Sequence, residues 1–305
     1  MKSIPWWYWL VGVLVIALAV GAGVLAGRAS QNDDEPVESE SAEETAGPVV
    51  EDVESDEAET DEAAEPAGTQ TVRVYFARGE YLGVVTRTVT ATPAIARAAM
   101  EELLAGPNAI EQGWGFGTAV PSGTRLLGLT IDGGTARVDL SGHFESGGGS
   151  LSVMMRLAQV VYTLTQFSTV DRVVLMMDGE VVDVFTGEGL MLDEPQTRND
   201  FEYVLPAIFV ESPAPGRTAG NPVRLTGTAN TFEAAFMVRI LGRDGSTIVE
   251  VPAMATSGTG TRGTFDVTVP YPLAAGGEGT IVVYEQSAQD GSDINIVEIP
   301  VTLGD

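Results

Sequence analysis

Apolar and polar residues alternate along most of the chain from Gln70 onward, broken by two stretches with a helical period. Thr71–Phe76 alternates as a half-buried strand does, and Tyr81–Thr90, rich in Val and Thr, predicts a second. The period then lengthens. Thr92-Pro93 offers a capping residue and a first-turn proline, Ile95, Ala99, Leu103 and Leu104 make an apolar stripe, and Gly106-Pro107 ends the helix. Leu126–Ile131 and Thr135–Leu140, joined through Asp132-Gly133-Gly134, predict a hairpin. A second helix over Ser150–Phe167 carries Val153, Leu157, Val160, Val161 and Leu164 on one face. It leads into the strand Arg172–Met177, which Asp178-Gly179 turns into another, Glu180–Phe185. This order predicts an α+β domain with a mixed sheet and helices on one face.

After Pro206 the helical period vanishes. Strands are predicted at Ala207–Glu211, Pro222–Thr228, Glu233–Leu241, Thr247–Val251, Gly263–Val269, Gly279–Gln286 and Asn295–Leu303. Seven short alternating segments separated by Gly, Pro, Asn and Asp imply an all-β immunoglobulin-like sandwich. With no disulfide and no packed tryptophan, Phe232, Phe236, Phe265 and Tyr284 are expected to supply the bulk of its core.

The beginning of the chain follows neither pattern. From Ile4 to Gly27 there are 24 residues without a charge. At ~1.5 Å per residue these reach roughly 36 Å as a helix, enough for a hydrocarbon core of about 30 Å. Trp6, Trp7, Tyr8 and Trp9 fall where an interfacial aromatic belt belongs, and Lys2 precedes them. After Arg28 no positive charge appears until Arg73, which places the N-terminus in the cytoplasm and the rest outside. A cleaved signal peptide would need a small-residue cleavage site, and Ala22–Ala29 offers no convincing one. A lipoprotein box is excluded because Arg28 follows Leu25-Ala26-Gly27 where cysteine would stand. Between Gln31 and Pro66 there are 16 Asp and Glu and no base, a composition that resists folding and extends by self-repulsion. The expected organisation is a transmembrane signal-anchor at 1–30, a disordered acidic linker at 31–68, the α+β domain at 69–203 and the sandwich at 204–305.

Charge and composition narrow the function. A net charge of -27, with Lys2 the only lysine and the arginines scattered singly, argues against a nucleic-acid partner. The absence of cysteine removes disulfides, thiolate metal sites and cysteine nucleophiles, and a single histidine, His143, limits triad chemistry.

Several segments carry a resemblance. The series Glu102-Leu103-Leu104-Ala105-Gly106-Pro107, Ala119-Val120-Pro121-Ser122-Gly123-Thr124 and Ala136-Arg137-Val138-Asp139-Leu140-Ser141 resembles the sporulation and germination GerMN domain. Val161–Phe167 and Val173–Gly179 are similar to its closing part. Val210–Gly216, Leu225–Ala229, Phe232-Glu233-Ala234 and Val283–Gly291 resemble the immunoglobulin-like domain of bacterial spore germination, which commonly follows GerMN. The resemblance implies an envelope module for ligand binding or assembly, without an established catalytic site.

Candidate chemistry is thin. Gly147-Gly148-Gly149-Ser150 precedes a helix N-terminus whose N–H groups suit an anion, although a flexible loop ending in a Ser150 cap accounts for it too. Gly113-Trp114-Gly115-Phe116-Gly117 lacks the setting of a dinucleotide fingerprint; Trp114 and Phe116 read either as a contact surface or as loop packing. His143 reads as a turn residue. Glu285, Ser287, Asp290 and Asp293 suit calcium by ligand type, but Ser287 and Asp290 equally fix a turn at Asp290-Gly291. Glu233 is expected on a strand, paired and partly buried or exposed at an edge. No cofactor, metal or catalytic residue is assigned. The leading expectation is a non-catalytic, membrane-anchored binding protein on the outer face of the cell membrane, engaging an envelope protein or a cell-wall ligand at Trp114, Phe116 and Ser150. Its rivals are a wall hydrolase using a carboxylate pair such as Asp139 and Glu145, at about 5 to 9.5 Å, and a passive homo-oligomeric scaffold.

Overall fold

A computed structural model describes residues 68–185, 189–272 and 276–304. The predicted membrane anchor and acidic linker up to residue 67 lie outside the described residues. Among the described residues no helix is long and apolar enough to cross a membrane.

The first strands form as their alternation requires. β1 (Thr69–Arg78) and β2 (Tyr81–Thr90) pair antiparallel along their whole length, from Thr69 opposite Thr90 to Arg78 opposite Tyr81. α1 (Ile95–Leu104) follows, burying Ala96, Ala99, Met100 and Leu103. Its N-cap is Ala94, not the expected Thr92, whose hydroxyl instead accepts the Ala94 N–H at 3.1 Å. The sequence pattern missed α2 (Ala109–Gly113) and the two-residue strand β3 (Phe116–Gly117). β4 (Leu126–Asp132) and β5 (Thr135–Leu140) make the expected hairpin, with Gly133 and Gly134 both at positive φ in the two-residue turn. α3 (Ser150–Leu164) ends three residues before Phe167, at the cap Thr165, and precedes β6 (Arg172–Met177).

The strand expected at Glu180–Phe185 divides. β7 (Glu180–Val181) pairs with β6, whereas β8 (Val184–Phe185) pairs with β9 (Leu190–Met191). Nor is there one mixed sheet. β2-β1-β3 and β4-β5-β6-β7 are separate sheets, the second mixed because β5 and β6 run parallel. α1 and α3 pack on each other and on β1, with α1 reaching β4 and α3 reaching β2 and β6, so the two sheets share one core.

One edge of β1 is completed by side chains, since β3 covers only Ala77 and Arg78. Gln166 accepts the Arg73 N–H at 2.7 Å and donates to the Arg73 carbonyl at 2.7 Å. Thr163 accepts the Tyr75 N–H at 3.3 Å, and Gln159 donates to the Tyr75 carbonyl at 3.2 Å. Gln159 and Thr163 are buried in full. Burial without these partners would cost about 1–3 kcal/mol per group.

The C-terminal half is a sandwich of two sheets. β10 (Ile208–Ser212), β12 (Val223–Ala229) and β15 (Gly263–Val269) form one in the order β10-β12-β15. The other runs β11-β17-β16-β13-β14, from β11 (Thr218–Ala219), β13 (Ala235–Gly242), β14 (Thr247–Met254), β16 (Gly277–Gln286) and β17 (Asp293–Leu303), with β11 parallel to β17. Phe236 and Phe265 meet in the core at 4.9 Å between ring centroids. Two expected core aromatics lie elsewhere. Phe232 is 53% exposed in a 3-10 turn, and Tyr284, though buried, faces away from the sandwich core beneath Arg239. Tyr271 fills a core position instead, its hydroxyl bonded to the Ala219 and Gly304 carbonyls. Glu233 belongs to the same turn as Phe232, exposed at φ 54, because β13 begins only at Ala235.

The two cores are contiguous through β10. Strand alternation sends Phe209 into the first core and Ile208 and Val210 into the second.

Candidate functional site

The segment 113–119 is placed by an ion-pair cluster. Asn108 caps α2 by accepting the Ile110 and Glu111 N–H groups at 2.9 and 3.0 Å, while Glu111 accepts the Asn108 N–H at 2.8 Å. Arg87, on β2, grips Glu111 with two nitrogens and also binds the Glu102 carboxylate and the Gly106 carbonyl. Its guanidinium lies 5.2 Å from the Phe76 ring centroid. Burial opposes its charge, but the hydrogen bonds to Glu111 and Glu102 outweigh that and raise its pKa. α1, α2 and β2 are thereby tied together, and the chain leaving α2 is directed along the edge of β1. Gln159 then holds the next residues, accepting the Ala119 N–H at 2.8 Å and donating to the Thr118 hydroxyl at 3.2 Å.

This placement opens a cavity of about 850 Å³ between β3 and the N-terminus of α3. Phe116, Leu151 and Met155 supply its apolar wall; Gln112, Ser150 and Ser152 supply polar groups. Glu80 is the one titratable side chain lining it. A Cβ on Gly115, Gly117 or Gly149 would meet nothing within 4 Å, so backbone borders open space there.

Two of the three residues expected at a contact surface, Phe116 and Ser150, thus line one cavity. Phe116 also borders a second cavity of about 530 Å³ at the domain junction. Trp114 does not join them: its indole packs on Gly216 of the second domain, and its carbonyl accepts from Arg78 Nε at 3.1 Å. Ser150 is the first residue of α3, and Gly149 is the N-cap, without a side-chain capping bond. The glycine loop before it is held by Arg156, 1% exposed, whose guanidinium donates to the Phe144, Ser146 and Gly147 carbonyls. Burial lowers the Arg156 pKa. Leu151 and Met155, which sequence reasoning passed over, lie off the apolar stripe; a large apolar residue at the exposed start of a helix was the available signal.

The other candidates are tied internally. Glu285 accepts from the Phe232 N–H at 2.8 Å and from Asn295 at 2.7 Å, and Asp293 pairs with Arg239 at 3.2 Å. Asp290 accepts from the Ser292 N–H and hydroxyl, which hold its pKa below the usual range, and Ser287 accepts the Gln289 N–H. These bonds build the Asp290-Gly291 turn. Asp139 accepts the Gly179 N–H at 3.1 Å, while His143 and Glu145 are exposed in a 3-10 turn.

Two family models match the chain. Residues 73–183 match Germane, sporulation and spore germination, and residues 207–292 match the immunoglobulin-like domain of bacterial spore germination, Gmad2. The chain carries a Germane domain followed by a Gmad2 domain. These are the two resemblances read from the sequence. β17, beyond the Gmad2 match, nonetheless lies inside that domain's five-stranded sheet. Among solved structures, the chain is similar to the first GerMN domain of the sporulation protein GerM from Bacillus subtilis. The identity is 23%, over 43% of this chain and 99% of that one, with a TM-score of 0.36. A putative lipoprotein from Clostridium perfringens is 17% identical over 45% of this chain and 93% of that one, TM-score 0.33. The tandem GerMN domains of Bacillus subtilis GerM are 17% identical over 66% of this chain and 61% of that one, TM-score 0.38. No curated protein matches the chain.

Proposed function

We propose that the chain is a non-catalytic binding protein of the cell envelope, related to sporulation and germination proteins. It is anchored through residues 4–27 as a single-pass protein, with its N-terminus in the cytoplasm and both folded domains outside. The Germane domain engages an envelope protein or cell-wall ligand through the cavity between β3 and α3, and the Gmad2 domain holds it in position. The observation that carries this reading is the lining of that cavity: an apolar wall at Phe116, Leu151 and Met155, polar groups from Gln112, Ser150 and Ser152, and a single carboxyl, Glu80. Cavities of this size and mixed lining suit ligands. Glycoside hydrolysis needs two carboxyl groups facing one bond, and Glu80 alone does not supply them.

The test is retention of the full chain by purified envelope fragments. Wild-type protein is expected to be retained, and Gly117→Trp, which fills the cavity from an open position, to lose at least tenfold in affinity. Equal retention of the variant, or release of soluble wall fragments, would overturn the proposal.

A further inference from the structure

Most described arginines are matched. Arg87, Arg198 and Arg262 pair with carboxylates, and Arg78 and Arg156 donate to carbonyls. The guanidinium groups of Arg73 and Arg217 have no such partner among the described residues, in a chain whose 43 acids far outnumber its 16 bases. Both line the same cavity, of about 520 Å³, between the Germane and Gmad2 domains.

The rest of that lining suits an anion. Thr86 stands directly opposite Arg73 in the β1–β2 register, so the two side chains share one face of the hairpin. Its hydroxyl oxygen is buried and has no hydrogen-bond partner. Thr71, Ser212 and Thr218 add three more hydroxyl-bearing residues. Glu211 is the one acid in the lining, and its charge is matched by Arg198 at 2.8 Å. The cavity is therefore a positive site on a strongly negative protein.

We propose that this cleft binds a small anion bearing a phosphate or carboxylate group, held by Arg73 and Arg217 from opposite domains. Guanidinium forks recognise such groups by paired, charge-assisted hydrogen bonds. The proposal is independent of the cavity beside α3, and a ligand here would touch both domains.

The experiment is calorimetric titration of the full chain with inorganic phosphate and with succinate, each against chloride at matched ionic strength. Saturable binding of either anion is expected, and whichever binds identifies the group recognised. Arg73→Gln and Arg217→Gln should each weaken it about tenfold. Arg217 is exposed, so its variant reads binding without disturbing the core. Arg137→Gln, on β5 and outside the cleft, should leave binding unchanged. No saturation by either anion, indifference to both cleft variants, or an equal loss in Arg137→Gln would overturn the proposal.

Discussion

The Tyr75 hydroxyl, on the first strand of the Germane domain, donates to the Glu211 carboxylate of the Gmad2 domain at 2.5 Å, across 136 residues of sequence. Arg198 closes the group, binding Glu211 at 2.8 Å and lying 4.6 Å from the Tyr162 ring centroid. Phe209 packs edge-on against Tyr162. The junction is thus a part-buried polar cluster set in aromatic packing, and its members are unequal. Tyr75→Phe removes the bond to Glu211 and the one its hydroxyl accepts from Arg198 at 3.2 Å and should cost about 1–2 kcal/mol, whereas Glu211→Ala takes the carboxylate from Arg198 and should cost about 2–3 kcal/mol. Urea denaturation midpoints measure both.

The same cluster sets the response to alkali. Burial, with the Glu211 carboxylate beside it, pushes the Tyr75 hydroxyl well above the usual phenol range. Burial likewise raises Tyr162 to about 12, with Arg198 pulling the other way. For a group whose folded pKa is raised, stability is fully present below the unfolded value, near 10, and falls as pH rises through the folded one. The melting temperature should therefore fall from about pH 10 upward, and Tyr162→Phe should make that fall shallower. Thermal melts across the alkaline range check it.

Gly216 should be intolerant of any side chain. Its φ is 76, and a Cβ would lie 2.4 Å from Cη2 of Trp114. Gly216→Ala should destabilise by about 1–3 kcal/mol, through backbone strain and displacement of the indole. Tryptophan fluorescence should change with it.

Gln159 joins the edge of β1 to the cavity wall. Gln159→Leu would leave the Ala119 N–H and Tyr75 carbonyl unpaired, costing about 2–4 kcal/mol. Hydrogen exchange at Ala119 should accelerate well ahead of exchange in β12, deep in the other domain.

Much of the strand framework was legible, because β1, β2, β4, β5 and most of the sandwich alternate cleanly between turn residues. α2 was not, since five residues hold too little of a helical period, although Asn108 and Glu111 stood at capping-box spacing. Phe232 looked like core by its type alone; the positive φ of Glu233 and Ala234 turns the chain before β13 and leaves it outside. Gln159, Thr163 and Gln166 formed a polar row on a helix assigned to the core, a hint that the buried face had polar work at a strand edge. Of the candidate site, Phe116 and Ser150 were visible as chemistry but their shared cavity was not. Nothing in local sequence brings residue 116 to residue 150, or Arg73 to Arg217.

The most direct test of the binding reading is photo-crosslinking in intact cells from Leu151, which is 49% exposed and lines the cavity beside α3. Leu127, 45% exposed and away from that cavity, serves as the control position. The account predicts a covalent adduct with an envelope protein or polysaccharide from position 151 alone, lost when Gly117→Trp is added. Equal labelling from both positions, or adducts only with further copies of the chain, would contradict it.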